Sequence, residues 1–197
     1  MKKTELITGI IAIIGIILNF MFVVGGVALT VVSLSFLSCI YFYFGFALFN
    51  NIGFRKMFKK ASYEGKTAMR MVGAVATGFV LSMIIIGIMF KINIWIGSQA
   101  MLTTSILPLI IITIIVVVRY IITKSSYYKA ILIRLAIYGS IGIVFLFITS
   151  EKIVAFKYRN HPAYVEAFKT YLTDPHNAIL LDKLDTERRK VYIEERR

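Results

Sequence analysis

The sequence predicts an all-α membrane protein: five transmembrane helices in two repeated hairpins plus one, followed by a C-terminal helical tail. Three observations predict it. The chain is 58% hydrophobic and 17% charged, with a mean hydropathy of +0.80, whereas a soluble domain carries roughly 45–50% apolar and about 25% charged residues. The apolar residues run in blocks, and a bilayer core about 30 Å thick needs about 20 of them per helix. The acids are segregated. Of ten, only Glu5 and Glu64 lie in residues 1–150, while the 23 bases divide thirteen to ten across that boundary.

Residues 1–50 read as the first transmembrane hairpin. The apolar run 5–49 is too long for one span and right for two. It breaks at Val24-Gly25-Gly26-Val27, because paired glycines permit a tight turn. Helix 1 is placed at 5–24 and helix 2 at 27–49. Residues 51–67 form a polar, basic loop. Residues 68–122 form the second hairpin, with helices at 68–90 and 100–122 joined by KINIWIGSQ. Residues 123–150 hold a polar link and the fifth span, 130–150. Residues 151–197 are the tail. Lys2 and Lys3 resemble a signal-peptide start, but the apolar region exceeds the usual 7–15 residues and no A-x-A-like site follows, so helix 1 is read as a retained span.

Lys and Arg near span ends orient the chain. Lys2 and Lys3 precede helix 1. Arg55, Lys56, Lys59, Lys60, Lys66 and Arg70 lie between helices 2 and 3, and Arg119, Lys124, Lys129 and Arg134 between helices 4 and 5. The opposite links carry only Lys91. This places the chain in a bacterial inner membrane with a cytoplasmic N-terminus and a periplasmic tail. Arg70, Arg119 and Arg134 read as positive-inside anchors. Tyr41, Phe42, Tyr43, Phe44, Phe46 and Phe49 at one end of helix 2, and Trp95 in an outer link, read as interfacial aromatic anchors.

A shift of 72 residues superposes the hairpins: Gly15-Ile16 falls on Gly87-Ile88, Gly25 on Gly97, Ala28 on Ala100 and Ser33 on Ser105. Asn19 falls on Lys91. Small residues at helical spacing (Gly9, Ala12, Gly15; Gly73, Ala76, Gly78; Ala136, Gly139, Gly142) predict close helix packing. Pro108 is expected to kink helix 4, and Cys39 to pack as a small hydrophobe. The single cysteine excludes a disulfide scaffold.

The second hairpin reads Gly87-Ile-Met-Phe90-Lys91-Ile-Asn-Ile-Trp95-Ile-Gly97-Ser-Gln-Ala-Met101-Leu102. It resembles the N-terminal transmembrane hairpin of the Bacteroidota gliding-motility protein GldL, whose pattern is G-x-L-F-K-I, an aromatic, a tip glycine and a Met-Leu opening the return helix. The first hairpin fits more loosely. The resemblance implies an inner-membrane motor complex driven by proton flow, with Lys91 at the family's lysine position. The family's membrane glutamate falls near Leu109, with Leu37 as its repeat counterpart. Leucine cannot titrate, and a proton relay needs an ionisable group in the bilayer. The expectation is therefore a hairpin architecture in an acid-free membrane part, without the proton engine.

Lys91 otherwise reads as a snorkelling end-of-span lysine, with Trp95 in reach if the helix continues. Asn19 reads as a helix–helix hydrogen-bonding residue. In the tail, Lys152–Arg159 extends helix 5, and His161-Pro162 opens a helix carrying Tyr164, Val165, Phe168, Tyr171 and Leu172. Thr173-Asp174-Pro175 stops it, and Asn177 caps a second. The two helices cover each other, lie on the membrane or await a partner. His161 and His176 lack metal-site spacing, and no catalytic or phosphate-loop motif occurs. No metal, cofactor, catalytic residue or nucleic-acid partner is expected. The functional expectation is a non-enzymatic scaffold or subunit of a membrane or envelope complex, binding another such protein or itself. The alternative is a small transporter or channel with Asn19 and Lys91 along its path.

Overall fold

The structure, a computed structural model, describes residues 1–194. The side chain of Lys60 and residues 195–197, Glu195 among them, lie outside the described set. Five helices are long and apolar enough to cross a membrane: α1 (Lys2–Phe20), α2 (Gly26–Phe49), α3 (Ala68–Ile92), α4 (Ser98–Thr123) and α5 (Ser126–Phe147). The tail adds α6 (Ser150–Lys157), α7 (Pro162–Thr173) and α8 (Ala178–Glu194). No strand occurs among the described residues.

The repeat is written into the backbone of the hairpin tips. Phe22 and Ile94 both take φ 57°, and Gly25 and Gly97 take φ 86° and 81°. Val23 N donates to Leu18 O and Trp95 N to Phe90 O, both at 3.0 Å. Phe22 N reaches Asn19 O, and Ile94 N reaches Lys91 O. These are two copies of one Schellman ending, which satisfies carbonyls left open at a helix C-terminus. Gly25 and Gly97 then open the return helices in the left-handed region that only glycine adopts without strain.

α3 is the hub. It packs on α2, α4 and α5, while α1 rests mainly on α2. More than half of its span is buried, against 39% or less for the other four. Leu37, Tyr41, Leu81, Ile84, Ile85 and Leu102 fill the middle of the bundle. Leu37 and Leu109, at the positions aligned with the motility glutamate, are buried there as packing residues. α1 and α5 diverge and leave a cleft of about 560 Å³ between them, floored by α2 and α3.

Small residues decide the closest approaches. A Cβ on Gly15 would come within 2.9 Å of Thr30 N, and one on its repeat mate Gly87 within 2.9 Å of a Leu102 methyl. Gly139 and Gly142 seat Leu109 and Ile84. Gly9 and Gly73 face open space, so the expected stripes run only part of their length. α4 continues through Pro108 to Thr123. Cys39 lies on the exposed surface of α2 rather than in the core.

Helix 5 does not extend into the tail. α5 stops at Phe147, Ile148 turns extended, and Thr149 caps a separate α6 through its side chain, which accepts from Lys152 N at 3.3 Å. α7 and α8 cover each other around Tyr158, Tyr164, Ala167, Phe168, Leu184 and Val191. Asn177 caps α8 as expected, accepting from Ile179 N at 3.0 Å. Phe22 and Ile94, one from each tip, pack onto this small core, so the tail sits at the tip end.

The basic loop lies at the other end. Ile52 and Met57 form a cluster with Ala47, Met1 and Tyr63. In a Cys39→Ala background, cysteines at Ile96 and His176 should therefore label from one face of the membrane and a cysteine at Phe58 from the other. All three positions are exposed. An impermeant maleimide that sorts 96 from 176 in intact cells would contradict this arrangement.

Candidate functional site at the hairpin tips

α6 is a short bar laid across the two hairpin tips. Its first residue meets Lys91 and its last residue is Lys157. The Lys91 ammonium donates to Gln99 Oε1 at 2.7 Å and to Ser150 Oγ at 3.4 Å. Gln99 Nε2 in turn donates to Leu146 O at 3.2 Å. Lys91 is 1% exposed. The expected snorkelling is therefore corrected: α3 ends one residue later, and the side chain turns inward to the oxygens of Gln99 and Ser150. Trp95 does not stack on it. With the helix ended at Ile92, Trp95 packs edge-on against Phe90 at 4.9 Å.

At the first tip, Asn19 joins three elements. Its Nδ2 donates to Asn93 Oδ1 at 3.1 Å, and its Oδ1 accepts from Lys157 Nζ at 2.6 Å. Asn93 Nδ2 donates to Met89 O at 2.8 Å. Phe20, Phe22 and Tyr158 surround the Lys157 ammonium, with ring centroids 5.5–5.9 Å away, within cation–π range. Each tip thus holds one buried ammonium whose hydrogen-bond partners are neutral oxygens. Beside Lys157 lies a cavity of about 540 Å³.

Burial disfavours the charged form of Lys157 and lowers its pKa from the usual lysine value to about 8. The unfolded chain keeps this proton to about pH 10.4. Between those values the unfolded state binds more protons, so stability rises with pH. Tyr158 is pushed the opposite way, upward by burial, and acts only above the usual tyrosine range. Unfolding free energy should therefore climb from pH 8 to pH 10 relative to Lys157→Met. Parallel pH profiles for the two proteins would contradict the assignment.

The remaining motif residues shape the hairpin. Gly87 admits Leu102, Phe90 supports Trp95, and Gly97 accepts from Met101 N at 2.9 Å. Lys157, Asn93, Gln99 and Ser150 carry no sequence signal that assigns them to this site. They come from two distant segments, the second tip link and α6, that only the fold brings together.

The loop end holds the second polar cluster. Glu5 Oε1 accepts from Arg134 Nε and Glu5 Oε2 from Arg134 Nη2, each at 2.6 Å, and Oε1 also accepts from Tyr41 Oη. Glu5 is only one turn into α1. Tyr41 and Arg134 lie eight residues, about 12 Å, from the loop-end termini of α2 and α5. α1 begins at the loop end, where Met1 packs on Ile52 and Met57, and the Tyr41 and Arg134 side chains reach toward it to meet Glu5. The Glu5 carboxylate is buried between helices rather than free at the bundle's edge, and Arg134 as an anchor is corrected: it pairs inward with Glu5. Arg70 instead lies 3.9 Å over the Tyr127 ring, and Arg119 is exposed. In the tail, His161 Nδ1 lies 3.2 Å from Glu194 Oε2, and His176 is exposed.

Comparison with protein-family models, with curated proteins and with solved structures gives no match.

Proposed function

We propose that the chain is a non-enzymatic, multi-pass subunit of a membrane or envelope complex, and that its tail presents the docking surface. The carrying observation is that the polar residues on the candidate path serve as structural clasps. Asn19 bonds to the tail and to Asn93 at the other hairpin's tip, and Lys91 to the tail and to its own hairpin's Gln99, all at one end of the bundle. Between that end and Glu5 the middle is filled by Leu37, Leu81, Ile84 and Ile85. A packed apolar layer supports a platform over a conduit, because ions cross hydrocarbon only where polar groups or water replace their hydration. The clasps fix the α7–α8 pair on top of the bundle, where α8 turns charged side chains outward. The GldL-like motif of the second hairpin is the sequence support for an inner-membrane motility-type assembly. In this reading the loop end faces the cytoplasm and the tail the periplasm.

Extraction from native membranes without lipid removal, followed by mass measurement, tests this. The full chain should run as a stoichiometric assembly well above 22.3 kDa, and deletion of residues 160–197 should release it. A monomer from native membranes would overturn the proposal, as would liposome ion flux that falls on Lys91→Ala or Asn19→Leu.

A further inference from the structure

The two repeats differ at one telling position. In the second hairpin, Gln99 accepts from the buried Lys91 ammonium. The position 72 residues earlier is Val27, which offers no hydrogen bond. The first tip nonetheless has its own buried ammonium, Lys157, supplied from the tail. Lys157 is 9% exposed, its hydrogen-bonding partner is the neutral Asn19, and among the described residues no carboxylate pairs with it. A buried ion without a counter-charge is costly. Of the other buried cations, Arg134 has Glu5, and Lys91 has two side-chain oxygens, from Gln99 and Ser150. Where the amide would be, the first tip has space: the cavity of about 540 Å³ lies between Val27 and Lys157.

The walls of that space are divided by polarity. Val27, Val31 and Val32, on the first turns of α2, supply an apolar wall, and Val27 and Val32 are exposed. Asn19, Lys157, Tyr158 and Tyr192 supply its polar groups. The chamber therefore has both a valine wall and a cationic group in its lining. It lies at the tip ends of α1 and α2, the level where a bilayer keeps its headgroups. A free inorganic anion would satisfy the ammonium and leave the valine wall bare. A zwitterionic lipid would bring its own cation to a site that already has one.

We propose that this cavity seats one anionic phospholipid of the tip-side leaflet, its phosphate at the Lys157 ammonium and its acyl chain along Val27, Val31 and Val32. The lipid supplies a counter-charge to Lys157 and an acceptor where the first repeat has Val27 in place of Gln99. It also ties the tail to the first hairpin, since Lys157 belongs to α6 and the valines to α2.

Native mass spectrometry of the purified full chain in detergent tests this, with dioleoyl phosphatidylglycerol, dioleoyl phosphatidylcholine and inorganic phosphate as probes. One phosphatidylglycerol should be retained in preference to phosphatidylcholine by about fivefold or more, the effect of one cation near a headgroup. Lys157→Gln should remove the preference and Lys157→Arg should keep it. Val27→Trp fills the chamber while leaving Lys157 and Asn19 in place, and should abolish retention. Lys169→Gln, on the exposed face of α7, should change nothing. Equal retention of the two lipids, or retention unaffected by Val27→Trp, would overturn the proposal. Displacement of the lipid by millimolar inorganic phosphate would overturn it in favour of a simple anion site.

Discussion

Replacing Arg134 by leucine is expected to destabilise the bundle by about 3–5 kcal/mol, the range for removing one partner of a buried pair. The Arg134 guanidinium grips both oxygens of Glu5 at 2.6 Å, with side chains only 16% and 12% exposed. Without it, the Glu5 carboxylate keeps the Tyr41 hydroxyl and loses its matching charge. Glu5→Leu alone should be nearly as harmful, because it strands the guanidinium against Phe49 and Tyr138. The double replacement should recover most of the loss, since an apolar pair of similar volume often performs as well as a buried ion pair. A residue of about 1 kcal/mol should persist for the Tyr41 hydroxyl left without its acceptor. Reversible unfolding of the four proteins in detergent gives the double-mutant cycle. Simple additivity of the two single losses would show that the groups do not act as a pair.

The same pair marks how far the sequence could be read. The five spans, the hairpin tips and the tail caps were legible because each rests on local chemistry: apolar length, glycines at the turns, Asn177 before a helix. The repeat was legible too, and its shift of 72 recurs in the tip hydrogen bonds. Glu5 carried a signal that counting acids concealed. It stands three residues before Thr8, on the stripe Thr8, Ala12, Gly15, Asn19 that α1 buries. An acid on the packing face of a span is placed to be matched inward. Its partner was not legible, because Arg134 sits in a region rich in bases and reads as one more interfacial charge. Lys91 and Lys157 show the same limit. Whether an end-of-span lysine snorkels or turns in depends on what the next segment lays above it, and α6 is laid there by a break at Ile148 and Thr149 that composition does not announce.

Gly78→Val is the second large expected effect, and it should propagate to the ion pair. A Cβ on Gly78 would lie 2.4 Å from the Tyr41 carbonyl oxygen and 3.3 Å from Gly45 Cα. Both are backbone, so no rotamer change relieves the clash and α2 must move off α3. Overpacking of this kind costs typically 1–3 kcal/mol and more where backbone must shift, so about 3 kcal/mol or more is expected. Gly73, on another face of α3, and Gly9, on α1, face open space. Gly73→Val and Gly9→Val should stay within about 0.5 kcal/mol of the parent, as surface changes usually do. The displaced atoms belong to Tyr41, whose hydroxyl donates to Glu5. Moving α2 outward therefore withdraws a hydrogen bond from the buried carboxylate as well as opening the helix crossing. If so, Gly78→Val and Glu5→Leu should be less than additive when combined, because each removes part of what the other destroys. Full additivity would place the Gly78 crossing and the Glu5 cluster in separate parts of the bundle's cooperativity, contrary to the contact through Tyr41.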